Sequence, residues 1–211
     1  MVEYHIFTIE VYIYKAAFLR KIMKIPKHAK CVFEGILYDT YQWEQEMFDG
    51  STKTFEALRR KPSVQIIPIT TDNKIVILKE KQPTDTEFGY SLVGGGCDEY
   101  DEDPKDAAKR EMLEETGMVC EELELYETKR AGSKIDWPCY YFIARGCKKI
   151  QEQNVDQGGE IIEPLEVSFE EFIEKIEDTY FRNPFFRDMI LLMEYKKPEE
   201  FKEFKRKLGV E

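Results

Sequence analysis

Residues 94–118 read GGGCDEYDEDPKDAAKREMLEETGM, and this stretch decides the fold. Its fixed points are Gly96, then Glu102 after five residues, then Arg110-Glu111-Met112 after seven more, then Glu114-Glu115 and Gly117-Met118, each after one. The segment PKDAAKREMLEET predicts a helix: Asp103 suits the N-cap, Pro104 the first turn, and Gly117 the position just past the end. On a helix advancing about 100° per residue, Glu111, Glu114 and Glu115 stand at i, i+3 and i+4 and share one face.

Three like charges on one face repel unless a cation sits among them. Hard divalent ions prefer oxygen ligands and bridge readily to phosphates, so the spacing builds a carboxylate platform for Mg²⁺ or Mn²⁺. The glycines Gly94 to Gly96 let the backbone turn tightly beside it, and the carbonyl of Gly96 is a candidate further ligand. Arg110, four residues before Glu114, is placed to orient a carboxylate through a charge-assisted hydrogen bond. A solvated acidic helix face would account for glutamates in general, but not for all these positions together.

Working outward, 211 residues suit one domain with small additions at its ends. Hydrophobic residues make up 42%, enough for a core, and the net charge is −11. That charge argues against broad nucleic-acid binding, which needs cations to displace counterions from phosphates, but not against a small anion held by a metal. The five cysteines have no CxxC spacing and there are two histidines, which argues against a zinc cluster and for reduced, core-packed thiols. The apolar N-terminus is interrupted by Glu10 and Lys15 and lacks a basic region before it, so it reads as an appendage, with no membrane span and a cytoplasmic setting.

Four regions are expected: an appendage over 1–28, a small β unit over 29–60, a core over 61–180 and a helical extension over 181–211. In the β unit, CVFEGILYD and TYQWEQEMFDG read as strands, with a turn at Asp49-Gly50 and TKTFEAL returning. In the core, SVQIIPITTDNKIVILKEKQP reads as a hairpin turning at Thr71-Asp72-Asn73, and SLVGGG as a short strand. Strands follow near 123–130, 139–145 and 161–167. SFEEFIEKIED predicts a helix with a capping box from Ser168 to Glu171. NPFFRDMILLMEY predicts one capped by Asn183, and KPEEFKEFKRKLG a last one matched to its dipole. The order gives an α+β class with a mixed sheet.

The fixed positions match, without departure, the GX5EX7REUXEEXGU box of the Nudix hydrolases, where U is apolar, and residues 64–167 resemble the Nudix core in element order. The resemblance implies an α/β/α sandwich around a mixed sheet, preceded here by the small antiparallel β unit. It implies Glu111, Glu114 and Glu115 as metal ligands, Glu102 as a supporting carboxylate and Arg110 as their anchor. The segment FEGILYDTYQWEQEMFDGSTKTFEALRR looks like the N-terminal β domain of ADP-ribose pyrophosphatases and related nucleotide-sugar hydrolases. That likeness implies a homodimer, a small-molecule nucleotide substrate, and Tyr41 or Trp43 stacking on the base; packing within the small sheet is the other reading of these aromatics. The same subfamily places a catalytic base on a later loop, here Glu160 in QGGEIIEP, with Glu163 as second choice.

Two departures bear on the substrate. Lys134 stands where that group often has a proline, and KEKQP lacks its phosphate-binding arginine, a charge that Lys81, Arg130 or Lys134 would have to supply. Val93 also stands where a proline is usual. Hydrolysis of nucleoside triphosphates or dinucleoside polyphosphates therefore stays as an alternative. So does a sensing module that binds without cutting, although such proteins usually lose ligand glutamates and none is lost here.

Overall fold

The computed structural model describes residues 25–155, except 131 and 133, and residues 159–210. Most of the expected appendage, residues 1–24, lies outside them. Among the described residues the strands are β1 Lys30–Phe33, β2 Asp39–Glu46, β3 Thr52–Arg59, β4 Ser63–Thr70, β5 Ile75–Lys81, β6 Gly89–Ser91, β7 Met118–Val119, β8 Glu122–Arg130, β9 Ile135–Asp136, β10 Pro138–Lys149 and β11 Ile161–Val167. The helices are α1 Pro104–Thr116, α2 Phe169–Glu177, α3 Pro184–Lys196 and α4 Pro198–Leu208. No helix among the described residues is long and apolar enough to cross a membrane.

The chain divides into two compact units. The first runs up to Lys61 and takes in Lys129–Pro138. Its sheet has the order β1-β2-β3-β9, with β1, β2 and β3 antiparallel and β9 parallel to β3. The Asp49-Gly50 turn forms as expected: Gly50 takes a φ of +79°, and the Met47 N–H donates to the Ser51 carbonyl. Trp43 and Ala57 are buried, and Trp43 meets Phe55 across the strands with ring centres 5.9 Å apart. Strand β1 stops at Phe33, so CVFEGILYD is not one strand. The short β9 escapes a periodicity reading because two residues cannot display a period.

The second unit comprises Pro62–Thr128 and Cys139–Glu211. Its mixed sheet has the order β11-β5-β4-β10-β7, with β6 on β5 and β8 on β10. The pair β4 and β10 is parallel, while β4 with β5 and β5 with β11 are antiparallel. Adjacent residues of β10 face opposite layers. Phe142 and Ala144 join Val64, Ile66, Ala107, Ala108 and Met112 in the core under α1. Tyr141 instead stacks on Phe186 of α3 at 5.7 Å, where Phe172 and Phe204 also pack. Period-two alternation thus puts helices on both faces of one sheet, the expected α/β/α sandwich. Each fully buried phenylalanine adds roughly 2–3 kcal/mol.

The capping signals hold at α1 and α2. Asp103 accepts from the Lys105 N–H, Gly117 (φ +70°) closes α1 onto Leu113, and Ser168 and Glu171 cap each other's backbone. Asn183 is a correction: it precedes α3 but makes no cap. Its side chain accepts from the Leu92 N–H at 2.8 Å and donates to Gln65 at 2.7 Å, because tertiary partners outcompete the local one. SLVGGG is also corrected, since β6 ends at Ser91 and only Val93 and Gly96 make single bridges to β4. Of the five cysteines, all free, Cys97, Cys139 and Cys147 are buried as expected, Cys120 is half-buried, and Cys31 lies exposed on β1.

Candidate active site

The glycine run lies against β4. The Val64 N–H donates to Gly95, Ile66 to Val93, and Cys97 to the Pro62 carbonyl, all within 2.9 Å. This pins the loop beside the start of α1 and aims its backbone at the helix face. The Gly94 N–H donates to Glu115 Oε2 at 2.7 Å. Gly95 lies so close to Glu111 that a Cβ there would stand 2.6 Å from both carboxylate oxygens. The Gly96 carbonyl accepts from Arg110 Nη2 at 2.9 Å.

Arg110 is the hub of the acidic face. Its Nη1 donates to Glu111 at 2.9 Å and to Glu114 at 3.3 Å, and its Nε stands 3.5 Å from Asp98 and 3.6 Å from Glu102 as an ion pair. Glu102 in turn accepts from the Asp98 N–H. The three box glutamates differ in setting: Glu115 is 8% exposed, Glu111 is half-buried, and the side chain of Glu114 is 43% exposed. Burial pushes the Glu115 carboxyl well above the usual range, against the pull of the Gly94 N–H, and the negative charges of Glu111, Glu80 and Glu160 push the same way. Burial also raises Glu111, with Arg110 opposing.

Of those neighbours, Glu80 comes from β5 and Glu160 from the residue just before β11. The pairing of β5 with β11 sets Ile162 opposite Glu80 and Ile161 opposite Lys81, so Gln82 falls opposite Glu160 one step on. The Gln82 amide donates to Glu160 Oε2. Glu80 and Gln82 share one strand face by alternation, and so do Glu160 and Ile162. Glu163 falls on the other face, 3.5 Å from Lys79. Glu80 is 9% exposed, and burial raises its carboxyl while Arg182 opposes and Glu160 adds to the rise. A sequence reading misses Glu80; its only trace is a charge inside the buried run IVILKEK.

Lys81 Nζ donates to the Thr86 carbonyl at 2.9 Å and lies over Phe88. Tyr41, Trp43, Arg130 and Lys134 belong to the first unit. There Trp43, 6% exposed, donates to Gln45 and packs on Phe55, while Tyr41 is half-buried. Arg130 pairs with Asp136, and Lys134 lies over Phe55.

Among the described residues no three carboxylate, imidazole or thiol groups form a ready-made ion cage, because Arg110 draws Glu111 and Glu114 to itself. The donor set is nevertheless all oxygen, carries several like charges, and is half or wholly buried at Glu111 and Glu115, which is the chemistry a hard divalent cation relieves. The fit is tested by Gly95→Ala. The new methyl would displace only the far end of Glu111, so stability is expected to change by less than about 1 kcal/mol. Turnover is expected to fall about a hundredfold, because small displacements of a catalytic group are costly. Steady-state rates beside urea unfolding check both.

A profile of the NUDIX domain matches residues 59–189. The chain belongs to the Nudix family of hydrolases, enzymes that use divalent metals and act on small-molecule nucleotides. It is 28% identical over 149 residues to a methanol dehydrogenase activator of Bacillus methanolicus, covering 70% of this chain and 80% of that one. It is 24% identical over 148 residues to the ADP-ribose pyrophosphatase of Bacillus subtilis (strain 168), covering 69% and 79%. In fold it is similar to a crystal structure of an ADP compounds hydrolase, with a TM-score of 0.62 at 17% identity over 84% of this chain and 98% of that one.

Proposed function

We propose that the chain hydrolyses the pyrophosphate bond of a nucleoside diphosphate linked to another moiety, ADP-ribose or a related nucleotide sugar, giving a nucleoside monophosphate and a sugar phosphate. The observation that carries this reading is the gathering of Glu80 and Glu160, set side by side by the β5–β11 register, with the buried box carboxylate Glu115, whose carboxyl their negative charges push up. The likeness to an ADP-ribose pyrophosphatase and the β unit before the core support the choice of substrate.

Glu111, Glu114 and Glu115 would hold Mg²⁺ or Mn²⁺, with Glu102 in support and the Gly96 carbonyl as a further oxygen. When bound, such an ion supplies charge that offsets the diphosphate and makes water a better nucleophile near neutral pH. Arg110 orients Glu111 and Glu114 through its two donated bonds. Glu160 takes the proton of the attacking water, its carboxylate oriented by the Gln82 amide on Oε2. Lys81 would supply positive charge toward the substrate, and Arg130 and Tyr41 are the first unit's own candidates for charge and base stacking; Trp43, buried against Phe55 and donating to Gln45, fits the packing reading. The domain scheme is a β unit over 29–60 for dimerisation and substrate, a core over 61–180 and a helical extension over 181–211. The molecule would act as a homodimer in the cytoplasm.

The test is a substrate panel with Mg²⁺ and with Mn²⁺: ADP-ribose, other nucleoside diphosphate sugars, nucleoside triphosphates and dinucleoside polyphosphates. Release of AMP from ADP-ribose as the fastest reaction is the expected result. A strong preference for a triphosphate would overturn it in favour of the second reading, which Lys134 in the place of a proline favours.

A further inference from the structure

Glu80 is a site carboxylate that the box does not supply, and its counter-charge comes from a distant part of the chain. The segment between α2 and α3 lies along β6. The Tyr90 N–H donates to the Tyr180 carbonyl at 3.2 Å, and the Arg182 N–H donates to the Tyr90 carbonyl at 2.8 Å. The next residue, Asn183, is tied to Leu92 and Gln65. Gly89 leaves the space that Arg182 uses, since a Cβ there would stand 3.1 Å from Arg182 Nε and 2.6 Å from the Tyr180 carbonyl oxygen. The guanidinium so delivered has its Nε 3.0 Å from Glu80 Oε1, and it also pairs with Asp85. Asp85 is held independently, because it accepts from the Gln82 N–H at 2.7 Å.

We propose that Arg182 is a positioning residue for hydrolysis, acting through Glu80 to hold the carboxylate face shared with Glu115 and Glu160. This rests on the hydrolytic reading of that face given above. Without the guanidinium, the negative charge of Glu80 is left unopposed beside Glu160 on the same sheet face and acts on Glu115. The repulsion is relieved by swinging Glu80 or by shifting the Glu160 end of β11, and either disturbs the face. If Glu80 is neutral, the guanidinium keeps Asp85 as its ion pair but has no charge left to balance on the site face, so toward that face the two side chains form one unit.

The experiment is a cycle of Glu80→Gln, Arg182→Gln and the double variant, with Arg182→Lys as the conservative control. The substrate is whichever panel compound the wild type turns over fastest. Arg182→Gln is expected to lower kcat about tenfold or more with KM within about twofold, Arg182→Lys to recover part of the loss, and the double variant to be no slower than the slower single one. A second readout is Mn²⁺ affinity by electron paramagnetic resonance, expected to weaken in Arg182→Gln and to weaken no further in the double variant. Multiplicative losses, or a tenfold rise in KM that persists without Glu80, would overturn the proposal and assign Arg182 to the substrate. Should Arg182→Gln fail to fold with Glu80 left unbalanced, Glu80→Gln against the charge-neutral double variant decides alone: equal kcat supports the proposal and a further loss overturns it. If the wild type cuts nothing in the panel, the hydrolytic reading has failed, and the Mn²⁺ cycle still decides this one.

Discussion

Glu115→Gln is expected to lower kcat about a thousandfold, equivalent to about 4 kcal/mol of transition-state stabilisation, while leaving the metal-free fold at least as stable as the wild type. Both effects follow from one side chain. Glu115 is buried under the charges of Glu111, Glu80 and Glu160, and it accepts a hydrogen bond from the Gly94 N–H at 2.7 Å. Glutamine keeps an oxygen for that N–H and removes the buried charge, so the fold loses no partner and sheds a repulsion. The site loses the charge that a divalent cation needs.

The sign of the pH dependence follows from the raised carboxyl. A folded-state pKa above the ordinary 4.5 means that the native state favours protonated Glu115. The stabilisation this brings is fully present below about 4.5 and is lost as pH rises through the higher folded value. Urea midpoints of the metal-free protein should therefore fall over that window, and fall less steeply in Glu115→Gln; Glu80 and Glu111, raised in the same direction, keep some slope in both. Bound Mg²⁺ should flatten the curve, because it favours the ionised form. Equal turnover by variant and wild type would remove Glu115 from the chemistry, and identical slopes would mean that burial does not bias its proton.

Gly94→Ala should cost the fold about 3–4 kcal/mol, seen as a matching drop in the urea midpoint, and should abolish turnover with it. Gly94 has a φ of +144°, which side-chain-bearing residues rarely adopt, and a Cβ there would stand 2.2 Å from the Val64 carbonyl oxygen. That oxygen belongs to the backbone of a central strand and cannot swing away. Relief would require lifting the loop off β4, breaking the Val64-to-Gly95 bond and pulling the Gly94 N–H from Glu115. Gly95→Ala makes the contrast: at these neighbouring positions, one backed by backbone and the other by a side-chain tip, both substitutions should lower turnover, but only Gly94→Ala should lower stability by more than about 1 kcal/mol. An unchanged midpoint in Gly94→Ala would show that the loop is not pressed against β4 as described.

The box was legible because its chemistry is local. Asp103, Pro104 and Gly117 bound a helix by backbone hydrogen bonding within a few residues, and helical pitch alone puts Glu111, Glu114 and Glu115 on one face. The Ser168–Glu171 capping box and the Asp49-Gly50 turn were legible for the same reason. Asn183 was misread because its signal is also local, whereas its partners, Leu92 and Gln65, are about a hundred residues away in sequence.

The amino-acid order by itself determined the α+β class with a mixed sheet, the helix Pro104–Thr116 and its oxygen-rich face, since each depends on periods and caps that repeat over a few residues, while the sandwich was implied by the resemblance to the Nudix family. Tertiary structure alone decided how the rest of the site is assembled around it. The register of β5 against β11 brings Gln82 and Glu160 together, and the segment lying along β6 brings Arg182 to Glu80. Register and docking are set by which distant strands pair and which faces they bury, and no short window of sequence contains both partners.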